Sequence, residues 1–166
     1  REDDEDDETL AAAREAAQVL RSSGADEPLH PVARLAGLAD AAARPFGGRL
    51  VKLLGDGAML HFRDPRSAVR ATLDLVDAIG DAGLPPGHAG ISAGPLVGRD
   101  GDYFGHTVNL AARLSGVATA GATLVTREVM DAIGEATDGI RFEPVGAVAL
   151  KNVAAPVAAF RAQRAG

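Results

Sequence analysis

The segment DYFGHTVNLAAR, residues 102 to 113, sets the carboxylate of Asp102 ahead of a glycine, then the amide of Asn109 and the guanidinium of Arg113 four residues apart. On a helix, residues at that spacing share a face with roughly 6 Å between side-chain bases. Arginine offers phosphate oxygens a planar fork of donors, and asparagine can hold a hydroxyl or ring oxygen without adding charge. An amide, a guanidinium and a carboxylate converging in this way suit a polyphosphate attacked at one phosphorus. A second segment, VKLLGDGAML (51–60), adds Lys52 and Asp56 around a Gly-Asp-Gly turn.

Each of these residues also has a plainer use. The chain holds 15 arginines but only two lysines, Lys52 and Lys151. In so arginine-biased a composition, a position needing positive charge alone would usually be Arg. A compact ammonium is useful where a narrow pocket must donate to one ring nitrogen, although a solvent-facing lysine at a strand end would look the same. Asp56 is of the type that forms tight turns, and Asn109 with Arg113 could be a polar helix face without a ligand. Lys52 and Asp56 cannot easily serve one site, since four residues of extended strand span about 13 Å at ~3.3 Å each. The histidines His30, His61, His88 and His106 show no shared spacing suited to a metal and read as ordinary polar or edge residues.

These side chains need a scaffold, and the hydrophobic pattern supplies one. Residues 9–22 are Ala-rich and predict a helix. A second helix is predicted from Pro31, with Val32, Leu35, Leu38 and Ala42 at helical spacing. RLVKLL and AMLHF flank Gly55-Asp56-Gly57, a strong hairpin signal. Asp64-Pro65 opens a third helix carrying Val69, Leu73, Val76 and Ile79 toward the core. HAGISAG (88–94) reads as a strand of small residues, and a second hairpin turns through 98–101. The helix bearing Asn109 and Arg113 follows Gly105. Then come a strand at 123–125, a helix over 127–133 and closing strands around 142–150 and 157–160. This order predicts an α+β domain, with helices on one face of a sheet.

The 166 residues fit one domain of ordinary size. The net charge of −6 is dominated by EDDEDDE at residues 2–8; without it 17 bases face 16 acids, so no nucleic-acid-binding surface is indicated. Such an acidic run is expected to be solvated. The absence of cysteine excludes a disulfide framework, a Cys-based metal site and thiol catalysis, and it is consistent with an intracellular, cytoplasmic setting. No apolar stretch approaches the ~18 residues of a membrane span, so no membrane contact is expected from this segment. The first residue is Arg, so a fragment of a longer chain is expected.

Taken together, PFGGRLVKLLGDGAMLHF, AGISAGPLVGRDGDYFGHTVNLAARL and ALKNVAAPVAAFRA resemble, in order and spacing, the class III nucleotidyl cyclase domain of adenylate and guanylate cyclases. The resemblance runs from about His30 to Arg161. It implies a ferredoxin-like core with an antiparallel-rich sheet, and a division into an acidic tail and helix (1–29) and a cyclase homology domain (30–166). It implies conversion of ATP to cyclic AMP and pyrophosphate. Lys52 and Asp102 would read adenine, through N1 and the 6-amino group. Asn109 would orient the ribose, and Arg113 would stabilise the transition state. Asp56 would be one of two Asp residues bridging two Mg²⁺ or Mn²⁺ ions. A head-to-tail homodimer would resolve the separation of Lys52 from Asp56, one protomer giving metal carboxylates and its partner the remaining groups.

The sequence departs from the family in two places. The first strand, of Phe-x-Asp-Ile-x-Gly-Phe type and carrying the other metal Asp, is not found. The lysine expected to grip the triphosphate is replaced by Val153, leaving Lys151 or an arginine to substitute. The departures imply weak or no turnover in this chain, and a rival reading as a degenerate domain serving nucleotide binding, dimerisation or regulation. A ferredoxin-like RNA-binding module is disfavoured by the neutral body and the lack of paired sheet aromatics.

Overall fold

The structure, a computed structural model, describes residues 11–13, 29–54, 57–134 and 139–165. In chain order they form β1 (Ala11–Ala13), α1 (Leu29–Ala43), a 3₁₀ turn (Arg44–Phe46), β2 (Arg49–Leu54) and β3 (Gly57–Phe62). Then follow α2 (Pro65–Asp81), β4 (Ala89–Ala93), β5 (Val97–Arg99), β6 (Asp102–Phe104) and α3 (His106–Val117). The last elements are β7 (Thr123–Thr126), α4 (Arg127–Ile133), β8 (Ile140–Val148) and β9 (Val157–Arg164). The predicted elements from the second helix onward are all present.

A seven-stranded sheet runs β2-β3-β1-β4-β7-β9-β8, with β5 and β6 as a separate two-stranded hairpin. Within the sheet only β4 and β7 pair in parallel. The four strands β2-β3-β1-β4 have the antiparallel order of a ferredoxin-like core, as expected. The slot of the first strand is nonetheless filled. Although the family's first-strand sequence is absent from the chain, Ala11–Ala13 lie antiparallel between β3 and β4, Ala12 opposite His61 and Ser92. Where a helix was expected over 9–22, residues 11–13 form a strand, and the other residues of that stretch lie outside the described ones.

The helices occupy both faces of the sheet rather than one. All six residues of β3 are buried, which requires cover on each side. Ala58, Leu60 and Phe62 join the main core, with Leu35 and Ala39 of α1, Val69, Leu75 and Ile79 of α2, and Val129 and Ile133 of α4. Met59 points the other way and packs with Leu96 and with Val108 of α3. On that same side Leu110 and Leu114 of α3 meet Leu124, Leu150 and Ala159. The buried stripe of α2 runs through Leu75, where the spacing had suggested Leu73 and Val76; both of those are half-buried. Asp64 caps α2 by accepting from the backbone N–H groups of Arg66 and Ser67, each at 3.3 Å, and thereby satisfies two otherwise unpaired donors.

Candidate active site

The site is built on the face covered by α3. On a regular strand, residues three apart such as Arg49 and Lys52 point to opposite faces. Here β2 carries a bulge: Leu50 pairs with Leu60 and Lys52 with Met59, leaving Val51 as the extra residue. The bulge resets the alternation. Lys52 therefore joins Arg49, which pairs with His61, on the Met59 side of the sheet, and Val51 packs against the Met59 cluster.

Above this face stands the β5–β6 hairpin. Its two-residue turn, Asp100 and Gly101, has both φ angles positive, 52° and 80°, as a tight hairpin turn with matching twist demands. Asp102 begins β6, opposite Arg99. Its Oδ2 accepts from Lys52 Nζ at 2.6 Å, and its Oδ1 accepts from the backbone N–H of Tyr103 at 2.7 Å. Two residues from segments 50 positions apart are thus joined as a donor–acceptor pair, partly open to solvent with side-chain exposures of 40% and 24%. An ammonium beside a carboxylate at this spacing offers a flat heterocycle one donor and one acceptor.

Gly105 leads directly from β6 into α3, and the N–H of Asn109 donates to the Gly105 carbonyl. Asn109 is exposed and Arg113, one turn on, half-buried, while Thr107, Val108, Leu110, Ala111 and Leu114 face the protein interior. The helix lies close to the sheet because β4 has a glycine beneath it. A Cβ at Gly90 would come within 2.5 Å of the Ser115 nitrogen and 2.7 Å of the Ala111 oxygen. The small residues noted in HAGISAG thus admit the helix bearing Asn109 and Arg113.

Asp56 lies outside the described residues; the strands on either side close with the pair Leu54–Gly57. Alanines in the first-strand slot bring no ligand atom, and among the described residues no group of three or more His, Cys, Asp or Glu could hold a metal ion. Asp56, the carboxylate that the resemblance assigns to the metal pair, is not among these residues, so the described donors alone do not make up that site. Lys151 is exposed, whereas Val153 is half-buried and packs against the Leu110–Leu150 cluster, so position 153 serves the fold.

Sequence reasoning missed three residues here. His61 is buried, not an edge residue, and its ring stacks on Tyr103 with centroids 4.2 Å apart and planes 14° apart. The Arg49 guanidinium lies 5.7 Å from the centre of the same tyrosine ring. A histidine inside the apolar run AMLHF was the available signal; the bulge that aligns Arg49 with Lys52 left none.

No family model matches the chain. A pH-sensitive adenylate cyclase of Mycobacterium tuberculosis is 39% identical over 144 residues, covering 84% of this chain and 36% of the relative. An adenylate/guanylate cyclase/hydrolase from Silicibacter pomeroyi superposes with a TM-score of 0.71 at 27% identity, covering 92% of this chain and 95% of that one. The guanylate cyclase domain of RhGC from Catenaria anguillulae, solved in complex with GTP, has the same fold, with a TM-score of 0.73 at 16% identity over 95% of this chain and 96% of that one. The chain belongs to the class III adenylate/guanylate cyclase domain family. It spans about a third of the length of the mycobacterial relative.

Proposed function

We propose that this domain converts ATP to 3′,5′-cyclic AMP. The ribose 3′-hydroxyl gives up its proton to solvent, its oxygen forms a bond to the α-phosphorus, the bond from that phosphorus to the bridging oxygen breaks, and pyrophosphate leaves with the electron pair. The observation that carries this reading is the Lys52–Asp102 pair at 2.6 Å. Adenine presents an acceptor at N1 beside a donor amino group, the complement of an ammonium beside a carboxylate. Guanine presents a donor N–H and a carbonyl oxygen at the corresponding edge, which inverts both partners. Asn109 orients the ribose, and Arg113 neutralises charge growing on the α-phosphate oxygens. Fixed donors aimed at developing charge are commonly worth about 3 kcal/mol each.

The reaction in this family calls for Mg²⁺ or Mn²⁺, and Asp56 is the residue of this chain assigned to it. The second family carboxylate has no counterpart in this sequence, so turnover is expected to be weak. The working unit is a head-to-tail homodimer. Supporting this, Val97 and Phe104 face each other across the β5–β6 hairpin and are 58% and 48% exposed. Apolar side chains gathered beside a polar site are what a partner surface covers. No helix among the described residues is long and apolar enough to cross a membrane, and a reaction fed by ATP is placed in the cytoplasm. The test is cyclic AMP formation from ATP with Mn²⁺, against GTP at equal concentration. A dimeric sample that binds ATP and makes no cyclic AMP would overturn catalysis in favour of a regulatory role.

A further inference from the structure

The hairpin that carries Asp102 shares no strand pairing with the seven-stranded sheet, so side-chain contacts help to set its position over Lys52. Tyr103 supplies several of these contacts. One face of its ring lies on His61 at 4.2 Å, the Arg49 guanidinium approaches the ring at 5.7 Å, and the side chain packs against the Met59, Leu96 and Val108 cluster. Its cross-strand partner is Gly98, where a Cβ would stand 3.2 Å from Tyr103 Cε1, so the ring lies over a position that has no side chain. His61 and Arg49 are themselves an opposed pair on β3 and β2. Adjacent residues of β6 are therefore gripped by one strand: Tyr103 by Arg49 and Asp102 by Lys52. The Tyr103 backbone N–H also holds the second Asp102 oxygen at 2.7 Å.

We propose that Tyr103 is a positioning residue for base selection: its stack on His61 and Arg49 locks the hairpin so that Asp102 stands in register with Lys52. The inference rests on the reading of Lys52 and Asp102 as the base-recognising pair. An aromatic ring stacked on an imidazole and approached by a cation is directional, and it restricts sliding and tilting of the hairpin in a way that an aliphatic side chain does not. The phenol oxygen is not needed for this. Phenylalanine should serve as well as tyrosine, and leucine should not.

Two measurements test this separately from the cyclase reading. Because Lys52 and Lys151 are the only lysines, selective labelling of lysine gives two side-chain NMR signals, with Lys52 assigned by its loss in Lys52→Arg. In Tyr103→Leu the Lys52 signal should move toward its position in Asp102→Asn, while Tyr103→Phe keeps the wild-type position and Lys151, far along the chain, reports the intact fold. In calorimetric titrations the preference for ATP over GTP should fall about tenfold in Tyr103→Leu, the scale of one charge-assisted hydrogen bond, and stay within about twofold of wild type in Tyr103→Phe. If Tyr103→Leu does not fold, Gly98→Ala crowds the same ring from the exposed hairpin and should move the Lys52 signal in the same direction. A Lys52 signal unmoved by either variant overturns the proposal. A shifted signal in a protein that never distinguished ATP from GTP retains the positioning role and overturns the base assignment instead.

Discussion

Gly90 and Ser115 stand so close that a methyl group on the glycine would sit 2.5 Å from the serine nitrogen. Strand β4 and helix α3 therefore touch backbone to backbone, and the helix that presents Asn109 and Arg113 has no freedom to settle lower. Gly90→Ala should force it outward. Overpacking a close contact costs ~1–3 kcal/mol, which a lower midpoint in urea unfolding would report. Turnover should fall further than stability predicts, since both α3 residues move with the helix. An unchanged midpoint would mean that the sheet yields instead.

Arg113→Ala should lower turnover on Mn-ATP by roughly a hundredfold or more, the scale of one preorganised donor, and alter ATP affinity by no more than about threefold. Rapid-quench turnover and calorimetric affinity on the same preparation separate the two. Equal losses in both would make Arg113 a ground-state binding residue.

The Lys52–Asp102 pair is partly solvent-exposed, and exposed pairs contribute only ~0–1 kcal/mol to stability. Lys52→Gln combined with Asp102→Asn should thus leave the unfolding midpoint nearly unmoved while relaxing the preference for ATP over GTP. Comparing initial rates with the two nucleotides decides the matter. An unaltered ratio would remove the substrate assignment.

If two protomers complete each other's sites, inactive variants should rescue one another. Asp56→Asn mixed in equal amounts with Arg113→Ala should restore about a quarter of wild-type activity, because half of randomly exchanged two-fold dimers hold one intact site of two. The assay is cyclic AMP production after co-refolding. No recovery, with exchange confirmed, would place all the groups in one protomer.

Much of this fold is legible in the sequence because the signals are local. Asp-Gly between apolar runs, Asp64-Pro65 ahead of a helical stripe, and the four-residue spacing of Asn109 and Arg113 each depend on near neighbours. Three features depend on tertiary context. Three successive alanines have no alternation and the highest helix propensity, so only the gap between β3 and β4 makes Ala11–Ala13 a strand. Burial of β3 on both sides puts α3 opposite α1, α2 and α4, a choice that no single element encodes. The Arg49–Tyr103–His61 stack needs a register shift at Val51, and a one-residue slip in pairing leaves no trace in composition or period.

That slip has a wider consequence. With Val51 absorbed into regular pairing, position 52 would turn toward the layer formed by α1 and α2, where an ammonium would lie in hydrocarbon and an apolar residue would be required. One surplus residue thus moves a site from the oily interior to the ligand side without redirecting the strand. Sheet proteins can acquire a new recognition group by this route through a single-codon insertion, the surrounding architecture left as it was.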